Sequence, residues 1–324
     1  MATTPSGEYA LPRQDIRDAL EEFDLAADRA GFVGLKIAPA LEVGEVNGVY
    51  DVVPIESMLR EYDTRRAPDG NYPRTDGKVE QASYVTKEHG IEERVDDRLA
   101  RAHASRFDSE LLAAERCRDA VMRGHERRVI TAATGLAAGQ QTAAGSNGGA
   151  WSTGTSDPFT LVHAARKAVR NRVGRAPNAM VLDWEAFEVL VGLDAVIDRI
   201  KYSGYTDPSK AALQPQVIAQ ALGLDEIIVA NSVTNGANMA EEASIESMWP
   251  RATALLFVRY DGPDTRKPQF MRTFHWGADG SQIGGVFEEY RDEARRSDII
   301  RNRMDSSEDI VYGAAGQLLT GLLA

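Results

Sequence analysis

The stretch from Arg60 to Val85 constrains this chain more than any other, because few of its side chains can enter a hydrophobic core. It is polar and is broken by Ala67-Pro68-Asp69-Gly70-Asn71-Tyr72-Pro73, a run of turn-forming residues. A hairpin running out and back between Val49 and Val85 would reach about 50 Å at about 3.3 Å per residue, more than a compact domain requires. The segment is therefore expected to project from the body; a surface loop without fixed structure is the alternative that these residues leave open. Just upstream, Leu41–Val46 and Val49–Ile55 flank Asn47-Gly48, a pair that favours a two-residue turn and predicts a short hairpin.

With 324 residues the chain has room for about two domains. Apolar residues make up 43% and charged residues 27%, the balance of a globular protein and not of a disordered one. The net charge of −12 argues against a sequence-reading nucleic-acid binder and leaves only weak, unspecific contact with DNA. No apolar run approaches the roughly 18 residues that span a bilayer. The N-terminal residues lack the basic start and apolar stretch of a signal peptide, and the single cysteine, Cys117, fits a reducing cytoplasm.

Periodicity supplies the elements. Ile16, Leu20, Phe23 and Ala27 predict an amphipathic helix over residues 13–30. Residues 105–134 predict a helix of about 45 Å, with Phe107, Leu111, Ala114, Val121, Met122, Val129 and Ala132 on one face and Leu112 and Ile130 nearly opposite. From Thr134 to Asp157 six glycines lie among small polar residues with Trp151 as the one bulky side chain, which reads as a flexible connection. Ser156 as N-cap and Pro158 in the first turn open a helix that Gly174 closes. A strand at Ala179–Asp183, helices at Trp184–Val191 and Pro215–Leu222, and a strand at Glu226–Ala230 follow. Thr253–Arg259, Gln269–Trp276 and Val286–Tyr290 are strand-like, and Leu318–Leu323 is apolar. The alternation fits an α/β or α+β unit.

Catalytic chemistry is hard to place on this sequence. The histidines at 89, 103, 125, 163 and 275 show no metal-ligand spacing, and one cysteine allows no C-x-x-C pair. His125 beside Glu126 lacks the second histidine of a metalloprotease motif and reads as a helix-surface residue. Arg116 and Arg118 can lower the pKa of Cys117, although a lone helical cysteine is more often a small residue at the edge of a core. Gly145-Ser146-Asn147-Gly148-Gly149 has neither the strand nor the Gly-Lys-Ser/Thr of a phosphate loop. No catalytic residue, cofactor or metal is expected. One acidic cluster stands out: Glu88, Glu92, Glu93, Asp96 and Asp97, with Lys87, Arg94 and Arg98 interleaved, either a solvated face or a docking strip. Arg65, Arg66, Arg74 and Lys78 on the projecting segment carry the opposite sign.

Three runs, Tyr50-Asp51-Val52-Val53-Pro54-Ile55-Glu56, Asp63 to Tyr72 and Tyr84 to Arg98, resemble the major capsid proteins of tailed bacteriophages. Ala176-Pro177-Asn178-Ala179-Met180-Val181-Leu182 is similar to that family's strand entry, and Asp298 to Arg303 followed by Asp309-Ile310-Val311 to its closing segment. The weight lies in their order, which covers nearly the whole chain. The resemblance implies an α+β, HK97-type capsid fold. Its parts would be an N-terminal arm (1–40), an extended β-hairpin loop (41–85), a peripheral domain with a long spine helix (86–157, continued at about 266–305) and an α/β axial domain (158–265, continued at about 306–324).

It also implies a structural protein, not an enzyme, assembling with itself into hexamers and pentamers of an icosahedral virion head around double-stranded DNA in the host cytoplasm. About 40 residues precede the loop, so a separate scaffolding protein is expected, together with a portal protein and room for a decoration protein. Lys78 is the one lysine in Arg60–Glu80, with no matching residues around it, so covalent cross-links are not expected. Arg65 and Arg66 are expected to dock on Glu92, Glu93, Asp96 and Asp97 of a neighbouring subunit. The competing readings are an encapsulin-type nanocompartment shell and an α/β enzyme with its site in Trp184–Leu224.

Overall fold

The computed structural model describes residues 11–12 and 31–323 apart from 67, 69, 76, 104–107, 155, 203–213, 238–240, 279 and 281–282. The helix expected over 13–30 lies outside the described residues. After β1 (Leu11–Pro12), the chain runs through a short helix α1 (Gly34–Ile37) and the strands β2 (Ala40–Val43) and β3 (Asn47–Val52). A turn of helix, α2 (Ile55–Met58), precedes the long excursion to β4 (Glu80–Val85) and β5 (Lys87–Asp96). Next come α3 (Asp97–His103), the long α4 (Ser109–Thr134), β6 (Gln141–Ala143) and α5 (Pro158–Val173). β7 (Ala179–Asp183), α6 (Trp184–Val191), α7 (Asp194–Tyr202), α8 (Pro215–Leu222) and β8 (Glu226–Ala230) alternate after that. The chain closes through a small ribbon, β9 (Val233–Asn235) with β10 (Ile245–Ser247), and then β11 (Thr253–Phe257), β12 (Met271–Trp276), β13 (Val286–Asp292), β14 (Ser297–Ile310) and β15 (Gly316–Thr320).

Two main sheets result. In the first, β14 is central, paired antiparallel to β13, β12 and β5, with β1 beyond β13 and β2 parallel to β12. The second has the order β6-β15-β11-β7-β8. Helices cover both of its faces, so β7 is buried at every position and shows no polar alternation. Alternation survives in the destination of each side chain. Met180, Leu182, Leu256 and Leu319 join one cluster with α6, α7 and α8, while Val181, Leu255, Phe257 and Leu318 join the other with α4.

Helix α4 bridges the two sheets. Asp108 caps it by accepting from the N–H groups of Glu110 and Leu111. Its first half packs Ala113 and Ala114 on Val95, Phe287 and Ile300 of the first sheet, and its second half sends Val129, Ile130 and Ala133 into the core of the second. Ile130, which the periodicity put opposite the apolar face, is thus buried, because the helix is covered on more than one side. Cys117 is also buried, and burial pushes its thiol up to about 11, against the lowering that Arg116 and Arg118 suggested.

A second buried group on α4 is a carboxylate. Glu126 accepts from Val33 N–H at 3.1 Å, Gly34 N–H at 2.5 Å and the Ser232 hydroxyl at 3.3 Å. Burial pushes its carboxyl above the usual range, and these donors pull it back. Val33, Gly34, Ile37 and Ala38 are buried with it, so the end of the expected arm is anchored on the body.

The hairpin expected around Asn47-Gly48 does not form. β2 leaves to join β12, and β3 pairs with β4 across the long excursion, from Asn47↔Val85 to Val52↔Glu80. Gly48 is needed here for close approach: a Cβ on it would lie 2.6 Å from the Tyr84 hydroxyl. The connection after α4 is likewise not free chain. β6 adds to β15, Trp151 is fully buried, and Asp157, not Ser156, caps α5. Small residues in 134–157 allow this close-lying path, which their composition alone disguised as a linker. Replacing Trp151 by Ala should lower stability by about 3–5 kcal/mol in urea unfolding; a change near zero would restore the linker reading.

Candidate assembly surfaces

The β3–β4 ribbon is fixed at its root. Tyr50 and Tyr84 pack on Phe274 of the first sheet with ring centroids 4.9 and 4.8 Å away, the second pair stacked at 11°. The Tyr312 hydroxyl accepts from Val53 N–H at 3.1 Å and donates to the Arg266 carbonyl at 3.0 Å, while the Thr265 hydroxyl donates to the Asp51 carbonyl at 3.2 Å. Both beside this root and farther out, the ribbon and its loop expose apolar side chains. Val49 is 63% exposed, Tyr72 71% and Val79 58%, and Val85 and Leu59 are exposed too. A two-stranded ribbon is marginally stable in water, so an outward apolar face on one calls for a covering surface.

Arg65 and Arg66 lie on this loop, both exposed. Arg66 Nε donates to the Gly70 carbonyl at 2.7 Å, and its guanidinium sits 5.0 Å from the centre of the Tyr72 ring. The acidic residues expected to receive them do not form one strip. Glu92, Glu93 and Asp96 fall on the ten-residue strand β5, whose alternation sends Glu92 and Glu93 to opposite faces of the first sheet, and Asp97 is the first residue of α3. Glu92 accepts from Arg301 Nε at 2.6 Å and the Tyr290 hydroxyl at 3.0 Å. Glu93 accepts from Arg116 of α4 at 2.8 Å. Asp96 accepts from the N–H groups of Arg98 and Leu99 and so opens α3, and Asp97 takes both ends of the Arg291 guanidinium at 2.6 and 2.7 Å. Each of the four therefore has a partner within the subunit.

A charge row that sequence reasoning missed explains Glu92. Glu288, Arg301 and Glu92 stand directly opposite one another on β13, β14 and β5. Arg303 joins through Glu288 at 3.0 Å, and Arg301 lies 5.3 Å from the Tyr290 ring. Cross-strand pairing of opposite charges stabilises a sheet by roughly 0.2–1 kcal/mol per pair. The signal was present as charge at every second residue of Arg301-Asn302-Arg303, a strand period that the polar composition of β14 concealed.

Inside the molecule, α4 and the first sheet enclose a polar cluster. Arg128 holds Glu308 at both oxygens, 2.8 and 3.0 Å. The Thr273 hydroxyl donates to the Ala38 carbonyl at 2.9 Å, which leaves its oxygen to accept from His125 Nε2 at 3.2 Å. His125 is thus a core residue and not the surface histidine expected from its place on a helix. Burial lowers it to about 4, against the attraction of Glu308 and with the repulsion of Arg128. Burial would raise Glu308, but its bonds from Arg128 and Ser306 and the nearness of His125 hold it below the usual range.

These shifts set an acid response. The unfolded chain protonates His125 near pH 6.5 and the fold only near pH 4, so stability is lost as pH falls across that window, by about 3 kcal/mol at ~1.36 kcal/mol per unit. His89, lowered chiefly by burial, adds with the same sign, and Glu308 adds its own loss below about pH 4.5. The His125→Asn variant should show a shallower loss between pH 6.5 and 4.5 in urea unfolding. An unchanged slope would place the imidazole in water.

No family model matches the chain. It is 29% identical over 195 residues to the major capsid protein of Burkholderia phage BcepMu, an alignment covering 58% of this chain and 61% of that protein. The chain thus spans about three fifths of the length of that curated relative. Its structure is similar to a phage-related protein from Bordetella bronchiseptica RB50, with a TM-score of 0.68 at 21% identity over 97% of this chain and 98% of the other. It is also similar to the capsid structure of the cyanophage P-SCSP1u, with a TM-score of 0.57 at 11% identity over 88% and 86%. The likenesses run over nearly the whole length of the chain, which has the HK97-type capsid fold.

Proposed function

We propose that this chain is the major capsid protein of a tailed bacteriophage, a structural protein that self-assembles into hexamers and pentamers of an icosahedral head around double-stranded DNA. What carries the reading is the capsid fold over nearly the whole chain, combined with a 29% identical relative that is itself a phage major capsid protein. That relative favours a phage head over an encapsulin shell. The protein then resides in the virion capsid and is made and assembled in the host cytoplasm. A separate scaffolding protein, a portal protein and a decoration protein complete the proposed partners.

In this reading the domains are the arm (1–40), the extended loop (41–85), the peripheral domain (86–157 and about 266–305) and the axial domain (158–265 and about 306–324). The rooted ribbon supports a loop that reaches a neighbour, since its exposed valines and tyrosines need cover that this subunit does not supply. Arg65 and Arg66 are proposed to meet the acidic residues there. Glu93 is the best placed of these, because its local partner Arg116 is 62% exposed and such a pair is easily exchanged.

Purified protein should form particles tens of nanometres across in negative stain, whereas monomers or dimers under all conditions would remove the shell reading. Arg65→Glu with Arg66→Glu should leave circular dichroism unchanged and abolish or misdirect closed particles, and Glu93→Arg should partly restore them. Normal particles from the loop variant would discard the pairing and leave the shell reading standing.

A further inference from the structure

Helix α5 carries positive charge for which nothing above accounts. In a chain of net charge −12, residues 158–182 hold five Lys or Arg and no Asp or Glu. Two of the five are used internally: Arg166 donates to the Leu222 carbonyl, and Arg172 donates to the Ala168 and Gly316 carbonyls and to Gln317. Lys167, Arg170 and Arg175 are exposed, and among the described residues no carboxylate pairs with them. His163, Lys167 and Arg170 follow i, i+4, i+7 spacing on the side away from Leu161, Val162, Ala165, Val169 and Val173, which hold the helix in place.

These side chains shape a cleft. His163, Arg166, Lys167, Arg170, Asn171 and Ala176 line an open space of about 390 Å³ with no acidic residue among them. Arg166 forms its inner wall, donating to the Leu222 carbonyl at 3.0 Å, while its Nε is buried without a partner among the described residues. Cations on successive turns repel one another, and the packing of α5 gives no return for that cost.

We propose that this face of α5 holds the phosphate backbone of double-stranded nucleic acid without reading its sequence. Lys167 and Arg170 sit on one rigid helical row, about 4.5 Å apart along the axis at 1.5 Å per residue, with Arg175 just beyond its end, and so suit a continuous line of anions better than a single small one. The cleft has no Phe, Tyr or Trp and no acidic side chain, and its exposed cations match the charge of phosphates more closely than the neutral edges of bases. The acidic remainder of the chain confines the contact to this face and keeps it in the weak range of about 10⁻⁴–10⁻⁶ M. The inference rests on the shell reading for the source of the nucleic acid.

The test uses the full chain and a fluorescein-labelled 30-bp duplex, with anisotropy read from 50 to 200 mM NaCl. Three phosphate contacts give a log–log slope of about −2.7, or about 40-fold weaker binding across that range. Lys167→Gln with Arg170→Gln should reduce the slope by about 1.8, and Lys167→Glu with Arg170→Glu should weaken binding at least about tenfold more at low salt, both with unchanged circular dichroism. An unchanged slope in both variants would overturn the proposal. So would preferential binding of labelled poly-L-glutamate, which would assign the cleft to an acidic polypeptide. Negative stain separates this inference from the shell reading. Particles whose DNA binding ignores α5 overturn only the inference, while a particle-free protein that binds DNA through α5 overturns only the shell.

Discussion

A carboxylate buried at the middle of the longest helix sets the position of much else. Glu126 is 1% exposed, and its charge is answered by two backbone N–H groups and a hydroxyl from segments far apart in sequence. Without those donors a buried carboxylate costs several kcal/mol, so the fold is committed to bringing Val33, Gly34 and Ser232 to the same place. Gly34 admits this approach because a Cβ there would stand 2.7 Å from the carboxylate oxygen. Once residues 33 and 34 are fixed, α1 and β2 follow, and β2 reaches β12 as a parallel edge strand. Ser232 lies just beyond β8, so the same side chain also ties the second sheet to the helix.

That fixed entry explains how a two-stranded ribbon can leave the body and stay aimed. Its first strand starts four residues after β2, and Tyr50, Tyr84 and Phe274 clamp both strands to the first sheet. One face of the ribbon is held on Phe274, while Val49 and Val85 beside the clamp and Tyr72 and Val79 farther out stay exposed. Charges are organised differently on the sheet itself. There Glu92 and Glu93 of β5 are matched against arginines of β14 and α4, and Asp97 of α3 against Arg291 of β13, so charge serves the subunit's own register.

Much of the second sheet was legible because its helices end in glycine and its strands are short apolar runs. Gly174 and Gly223 take positive φ where the helices stop, and Ala179–Asp183 is a strand along its full length. The first sheet was nearly invisible. Its central strand is fourteen residues of mostly polar chain, with partners up to about 200 positions away, and local pattern carries no trace of such pairings. Asn47-Gly48 misled for a similar reason: the glycine answers an aromatic ring that arrives from Tyr84, not a turn. The acidic cluster was visible by density, but its division between two faces required the knowledge that it is a strand. Glu126 and His125 were visible as residues and not as buried ones, because a helix covered by two sheets has no reliable wet side.

The bridging helix has one more consequence, and it is mechanical. Over 26 residues α4 is about 39 Å long, with one sheet packed at each end. A tilt of 5° about one end carries the other through about 3.4 Å, close to the spacing of one residue along a strand. Such a tilt is resisted along the whole helix: Arg116 and Cys117 tie its first half to Glu93 and Ile300, and His125 and Arg128 tie its second half to Thr273 and Glu308 of the same sheet. The helix is thus a stiff strut gripped along both halves. A load on either sheet is then carried to the other through one rigid element.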